Sequence, residues 1–228
     1  MAVVEFGTNR LRDIVARAAY TKQYPAVRQG FYRSIRDHPL FASPAGQMFE
    51  IHVLLWLQHD KAAFHCTCTM ANSPELQIVS FQDNLKFFYK PEELKDISEP
   101  GKPICLVPTS QKFPTLDAVI LTSNAVITVQ ITIALKHDAN EQEFGLIYRN
   151  LPPDVLAKRP DRYHVFITDE EINAKSLREQ HQVQIPDGTF VYSTVIDFES
   201  WGWGIRATEE HVDALEKARV STYWLYAI

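Results

Sequence analysis

The sequence predicts an α/β protein of 228 residues. Two observations carry that class. Apolar residues recur at helical spacing in some stretches and at every second position in others. The two kinds of stretch also alternate over residues 44–168, as a helix, a three-strand meander, a second helix and a further strand, which is the order of an α/β sandwich. A hydrophobic content of 46% lets such a chain build its own core.

Residues 9–37 read as one or two helices, with Leu11, Ile14, Val15 and Ala18 at helical spacing and Pro25 as a break. Ser43 suits an N-cap and Pro44 the first helical position. The MFEIHVLLWL that follows is apolar on nearly all sides, as a helix buried in a core would be. From Ala63 to Met70 the period becomes two: Phe64, Cys66, Cys68 and Met70 share one face, and His65, Thr67 and Thr69 the other. LQIVSF at 76–81 is the partner strand across an Asn72-Ser73-Pro74 turn, an extra hairpin ahead of the meander. KFFYKPEEL then leads to an acidic loop around Glu99, Pro100 and Gly101.

The meander itself comprises ICLVP at 104–108, LDAVIL at 116–121 and AVITVQITIAL at 125–135. Residues 141–150 have helical content, Pro152-Pro153 ends them, and YHVFIT at 163–168 is the next strand. A polar helix over 170–182, a strand over 188–197 and a helix over 208–219 complete the chain. The WGWG at 201–204 reads as a turn packing its rings on the core.

Net charge is −5 but unevenly spread. Residues 1–36 hold Arg10, Arg12, Arg17, Lys22, Arg28, Arg33 and Arg36 against Glu5 and Asp13, a balance of +5 that leaves −10 for the rest. Residues 1–40 therefore read as a basic helical arm able to meet nucleic-acid phosphates through Arg10, Arg12, Arg17, Arg28 and Arg33; the competing reading is the solvated face of surface helices. Residues 41–228 form the main domain with a C-terminal extension. With no run of 18 apolar residues, no secretory leader pattern and three cysteines suited to the reduced state, the chain is expected to be intracellular with no membrane partner.

Several chemistries find no motif. There is no GxxxxGK[ST] or GxGxxG loop for a nucleotide and no Gly-x-Ser-x-Gly elbow. His65 sits on the opposite strand face from Cys66 and Cys68, and no second ligand pair has zinc spacing. His52 and His59, with Trp56 between them, are read as ordinary helix-face residues.

The stretch LDAVILTSNAVITVQIT holds the polar residues that need explaining. Gln130 and Thr132 face the same way along one strand, and a hairpin can bring Asp117 beside them from the other. Glu50, on the preceding core helix, can close the group. Buried carboxylates need hydrogen bonds or a cation, so these residues are either a structural polar network or a metal site.

AGQMFE at 45–50, FPTLDAVIL at 113–121, VQITIA at 129–134 and YHVFIT at 163–168, in that order, resemble the nuclease module of Crinkler and retrotransposon-hot-spot-type proteins, within the PD-(D/E)XK or restriction-endonuclease-like superfamily. The resemblance covers residues 41–170. It implies a restriction-endonuclease-like core with flanking helices and a magnesium-dependent nuclease acting on DNA, with Mn²⁺ as a substitute metal. Carried over by position, Asp117 is the central metal ligand, Gln130 stands where a second acid is usual, Thr132 takes the place of the lysine, the Ile131 carbonyl is a further ligand, and Glu50 completes or orients the coordination. Gln130 supplies a neutral oxygen, and Thr132 cannot replace an ammonium charge. Lys136 lies about 13 Å along the strand from Thr132; Lys112 and His137 are looser substitutes.

The alternative is a catalytically silent module of the same fold that binds nucleic acid or a protein partner, including as an effector of Crinkler type. A homodimer and a location in the nucleus or cytoplasm, or in a host nucleus, complete these expectations.

Overall fold

The computed structural model describes residues 25–36, 38, 42–58, 63–68, 76–79, 84–97, 103–109, 113, 116–136, 141–181 and 189–196. Pro25 opens a helix instead of only breaking one: α1 runs Pro25–Arg36, with proline where its missing N–H costs nothing. α2 follows at Ala42–Gln58, its apolar run intact. Next come β1 (Ala63–Cys68), β2 (Leu76–Val79), β3 (Leu85–Phe88), a 3₁₀ turn at Pro91–Asp96 and β4 (Ile104–Pro108). The hairpin strands are β5 (Ala118–Leu121) and β6 (Ala125–Ile131). They precede α3 (Glu141–Asn150), α4 (Pro153–Ala157), β7 (Asp161–Thr168), α5 (Glu171–His181) and β8 (Thr189–Val195).

The described residues form a mixed α/β structure built on an eight-stranded sheet in the order β2-β1-β8-β7-β6-β5-β4-β3. β4, β5 and β6 are antiparallel neighbours, the expected meander, while β7 lies parallel to β6 and β8 parallel to β7. β1 and β2 form the expected antiparallel hairpin, and β1 joins β8 at its other side. KFF, which the sequence reading left as a lead into a loop, is strand β3, paired in parallel with β4.

Strand alternation sorts the side chains to two faces. On the first face Ala125, Ile127, Val129 and Ile131 of β6 join Tyr163, Val165 and Ile167 of β7 and Tyr192 of β8 against Tyr32 and Ile35 of α1 and Ala45, Met48, Phe49, Val53, Leu54 and Leu57 of α2. On the second face Val119, Leu121 and Val126 pack with Leu94 and Ile97 near the 3₁₀ turn, with Phe144 and Ile147 of α3, and with Val155 of α4. Each fully buried side chain of this size is worth about 1.5–3 kcal/mol, so both layers hold the sheet.

Two strands end earlier than their apolar runs suggest. β5 begins at Ala118 because the backbone of Asp117 leaves the ladder register: its N–H donates to the Val129 carbonyl at 3.0 Å. β6 stops at Ile131, and just beyond it the Ala134 N–H turns back to the Thr132 hydroxyl at 3.1 Å. The expected helix over 208–219 and the WGWG turn lie outside the described residues. No helix among the described residues is long and apolar enough to cross a membrane.

Candidate functional site

The hairpin turn Thr122–Ala125 closes tightly, with Thr122 N–H to the Ala125 carbonyl at 3.0 Å and Ala125 N–H to the Thr122 hydroxyl at 2.9 Å. That turn fixes the register in which Ala118 faces Val129, and so brings Asp117 beside the Gln130–Ile131 segment at the hairpin's open end. There the Asp117 carboxylate accepts the Ile131 main-chain N–H at 2.7 Å. The side chain stands in for the backbone acceptor that the register change removed. Thr132 continues the other side of the strand, its N–H donating to the Ile167 carbonyl at 3.0 Å.

Gln130 and Thr132 are buried, at 1% and 7% exposure. By alternation Gln130 shares the second face with Val126 and Thr128, and it lies opposite Phe166 of β7. Glu50 lies in α2, the helix packed on the first face. The structure thus brings Asp117 and the VQIT strand together and leaves Glu50 on the helix of the opposite face. Lys136 is exposed past the end of β6. Lys112 and His137 lie outside the described residues.

A second acid, absent from the sequence reading, anchors the same end of the sheet. Asp169 directly follows β7 and is 3% exposed. It accepts the Tyr32 hydroxyl at 2.9 Å, the Arg36 guanidinium, and the Asn173 amide at 3.2 Å. Arg36 also reaches Glu170 at 2.9 Å, and Asn173 also donates to the Ile133 carbonyl at 3.1 Å. Burial first, then the charge of Asp169 and its hydrogen bond, pushes the Tyr32 hydroxyl pKa far up, so it stays a donor. The available signal was an acid at the carboxyl end of a parallel strand, just after YHVFIT.

Of the basic arm, Arg10, Arg12 and Arg17 lie outside the described residues, Arg28 is within α1, and Arg33 is exposed. Arg36 is ion-paired within the chain. On β1, His65 is exposed and Cys66 buried, as strand alternation requires. Burial pushes the thiols of Cys66 and Cys105 up to about 12, so both are protonated at neutral pH. His52 is buried at 2% exposure on α2.

Mg²⁺, which the Crinkler-type resemblance implies, can be tested against these donors. Among the described residues no three His, Cys, Asp or Glu side chains gather as a metal group. Asp117 and Ile131 nevertheless fit. The Ile131 N–H points at β5, and in extended backbone its carbonyl points the same way, toward the Asp117 side. One carboxylate with a carbonyl, completed by water and substrate phosphate, is an ordinary Mg²⁺ shell. Gln130, at 1% exposure, is closed to solvent, and Glu50 belongs to α2, the helix packed on the first face. In comparisons with known proteins, no family model, no curated protein and no solved structure matches the chain.

Proposed function

We propose that the chain is a metal-dependent nuclease, hydrolysing phosphodiester bonds and DNA first among them, on a restriction-endonuclease-like core of Crinkler type. The observation that carries this reading is the 2.7 Å contact between the Asp117 carboxylate and the Ile131 main chain, which joins the acid of one motif to the Gln-x-Thr strand of the other. The strand order supports it: a meander β4-β5-β6, then α3, then β7 parallel to β6, follows the order of the motifs.

In this reading Asp117 and the Ile131 carbonyl hold Mg²⁺, which when bound polarises the scissile phosphate and acidifies an attacking water. Asp117 supplies the charge, and the ladder holds it in place. Thr132 and Gln130 carry no charge. Exposed Arg33 and the rest of the arm meet the phosphates, in the nucleus or cytoplasm, or in a host nucleus if the chain is an effector.

Asp117→Asn tests this, because an amide oxygen still accepts the Ile131 N–H while the charge is gone. Loss of Mg²⁺-dependent cleavage with an unchanged melting temperature is the expected result. A second reading, a catalytically silent module binding nucleic acid or protein, is favoured by the burial of Gln130 and the placement of Glu50. It takes over if the pure protein cleaves neither DNA nor RNA with Mg²⁺ or Mn²⁺.

A further inference from the structure

The two faces of the sheet differ in a way that the hairpin alone does not explain. The first face is mostly apolar, though Thr194 of β8 is buried on it at 7% exposure. The second carries a buried polar layer: Thr128 and Gln130 on β6, Thr132 just past its end, His164 and Thr168 on β7, and Ser193 on β8, all at 7% exposure or less. The parallel registers set these side by side, Thr128 next to His164 and Gln130 next to Phe166, which faces Ser193. α5 closes over part of this layer. The apolar cluster beneath it consists of Phe166, Leu177 and Val191, and its other inward residues include Asn173, Arg178 and His181. Ala174 and Leu177 give α5 its apolar hold, and Asn173 to the Ile133 carbonyl, Ser176 to the Leu135 carbonyl and Arg178 to Ser193 add polar ties, so its seat is mixed.

His164 sits at the centre of this layer with no exposure at all. Its Nδ1 meets the Thr128 hydroxyl at 2.9 Å, and its Nε2 is buried without a hydrogen-bond partner among the described residues. Phe144 of α3 and Phe166 stand edge-on to its ring at 4.8 and 4.6 Å, and His181 of α5 stacks on Phe166 at 5.1 Å. The groups around it, element by element, are Thr128 of β6, Phe144 of α3, Phe166 of β7, Val191 of β8 and His181 of α5. Among the described residues the titratable neighbour that acts on it, His181, opposes protonation. The buried charged residues of the covering helices are Glu143 on α3 and Arg178 on α5, and Arg178 is tied to Ser193 and to Glu171.

We propose that His164 makes α5 an acid-released cover: protonation of the buried imidazole is compatible only with a conformation in which α5 has lifted from the second face, uncovering the residues of β7 and β8 beneath it. In the closed state burial holds His164 neutral, well below its ordinary 6.5 and down to about 3, with His181 adding to the effect. An opened state that wets the ring regains the ordinary value. The closed form therefore has its full advantage above pH 6.5 and loses it as pH falls, with the open population rising about tenfold for each unit below 6.5 until His164 titrates in place near pH 3.

Hydrogen exchange of the intact chain tests this between pH 7.5 and 5, after correction for the intrinsic exchange rate. The expected result is that amides of residues 171–181 gain opening toward tenfold per pH unit below 6.5 while those of β5 and β6 do not, and that His164→Phe removes this dependence. Phenylalanine leaves the Thr128 hydroxyl its bond to the Tyr163 carbonyl at 3.2 Å. His164→Leu serves if the larger ring does not fit. Ring-carbon NMR of the wild type gives a readout that needs no variant: His164 stays neutral in the closed state down to pH 5. The proposal is overturned if α5 exchange is independent of pH, if His164→Phe and His164→Leu keep the wild-type dependence, or if His164 titrates near 6.5 with α5 still protected. The last result would mean that a carboxylate such as Glu143 answers the new charge.

Discussion

The Asp117 carboxylate accepts the main-chain N–H of Ile131 at 2.7 Å, closing the open end of the β5–β6 hairpin with a side chain where the ladder has slipped by a residue. That bond gives Asp117 a structural task that can be separated from any catalytic one. Asp117→Ala leaves the Ile131 N–H without its acceptor and is expected to lower unfolding free energy by about 1–3 kcal/mol. Asp117→Asn keeps the acceptor and is expected to stay within about 1 kcal/mol of wild type. Urea denaturation of the two variants measures the difference.

Arg36 and Asp169 tie α1 to the carboxyl end of β7 across 133 residues of sequence. Both are largely shielded, at 14% and 1% side-chain exposure, so the pair is expected to couple measurably. Asp169→Ala removes the acceptor shared by Arg36, the Tyr32 hydroxyl and the Asn173 amide and is expected to cost about 3–5 kcal/mol. A double-mutant cycle of Arg36→Met with Asp169→Asn should return a coupling of about 1–3 kcal/mol. Additive losses would reduce the contact to incidental proximity.

His164 makes global stability depend on acid as well. Its folded-state pKa lies below the unfolded one, so its contribution is intact above pH 6.5 and declines as pH falls toward about 3. Unfolding free energy is expected to fall by about 1.4 kcal/mol per pH unit in that window from this residue alone. Denaturant titrations of wild type and His164→Leu at pH 7 and pH 5.5 should converge as the acid limb is lost.

The salt dependence of duplex binding separates the arginines of α1. Arg33 is exposed and Arg36 is committed to Asp169 and Glu170. Arg33→Ala is therefore expected to flatten the log-log salt slope by about 0.9, and Arg36→Ala to leave the slope unchanged. Equal changes would mean that the Asp169 pairing gives way when DNA binds.

The apolar runs made the meander legible: ICLVP was read at its observed bounds, and the LDAVIL and AVITVQITIAL strands were placed with their ends too long. Side-chain capping by Asp117 and Thr132 shortened them, and such local hydrogen bonds leave no trace in hydrophobic period. KFF was missed because a four-residue edge strand carries too few positions to show alternation. For the candidate site, the hairpin put Asp117 and Gln130 together in sequence terms. Alternation gives the parity of Gln130 but not which helix covers which face, so the packing of the Glu50 helix on the face opposite Gln130 could not be read from the sequence. The Arg36–Asp169 contact is wholly tertiary.

Cleavage by the purified protein is the most direct measurement of the proposed activity. Supercoiled plasmid, linear duplex, single-stranded DNA and RNA are each incubated with Mg²⁺ or Mn²⁺ and with wild type, Asp117→Asn, or EDTA added. The account predicts metal-dependent cleavage by wild type, at least about a hundredfold weaker in Asp117→Asn, whose melting temperature matches wild type. Cleavage unaffected by Asp117→Asn, or no cleavage of any substrate by wild type, contradicts it.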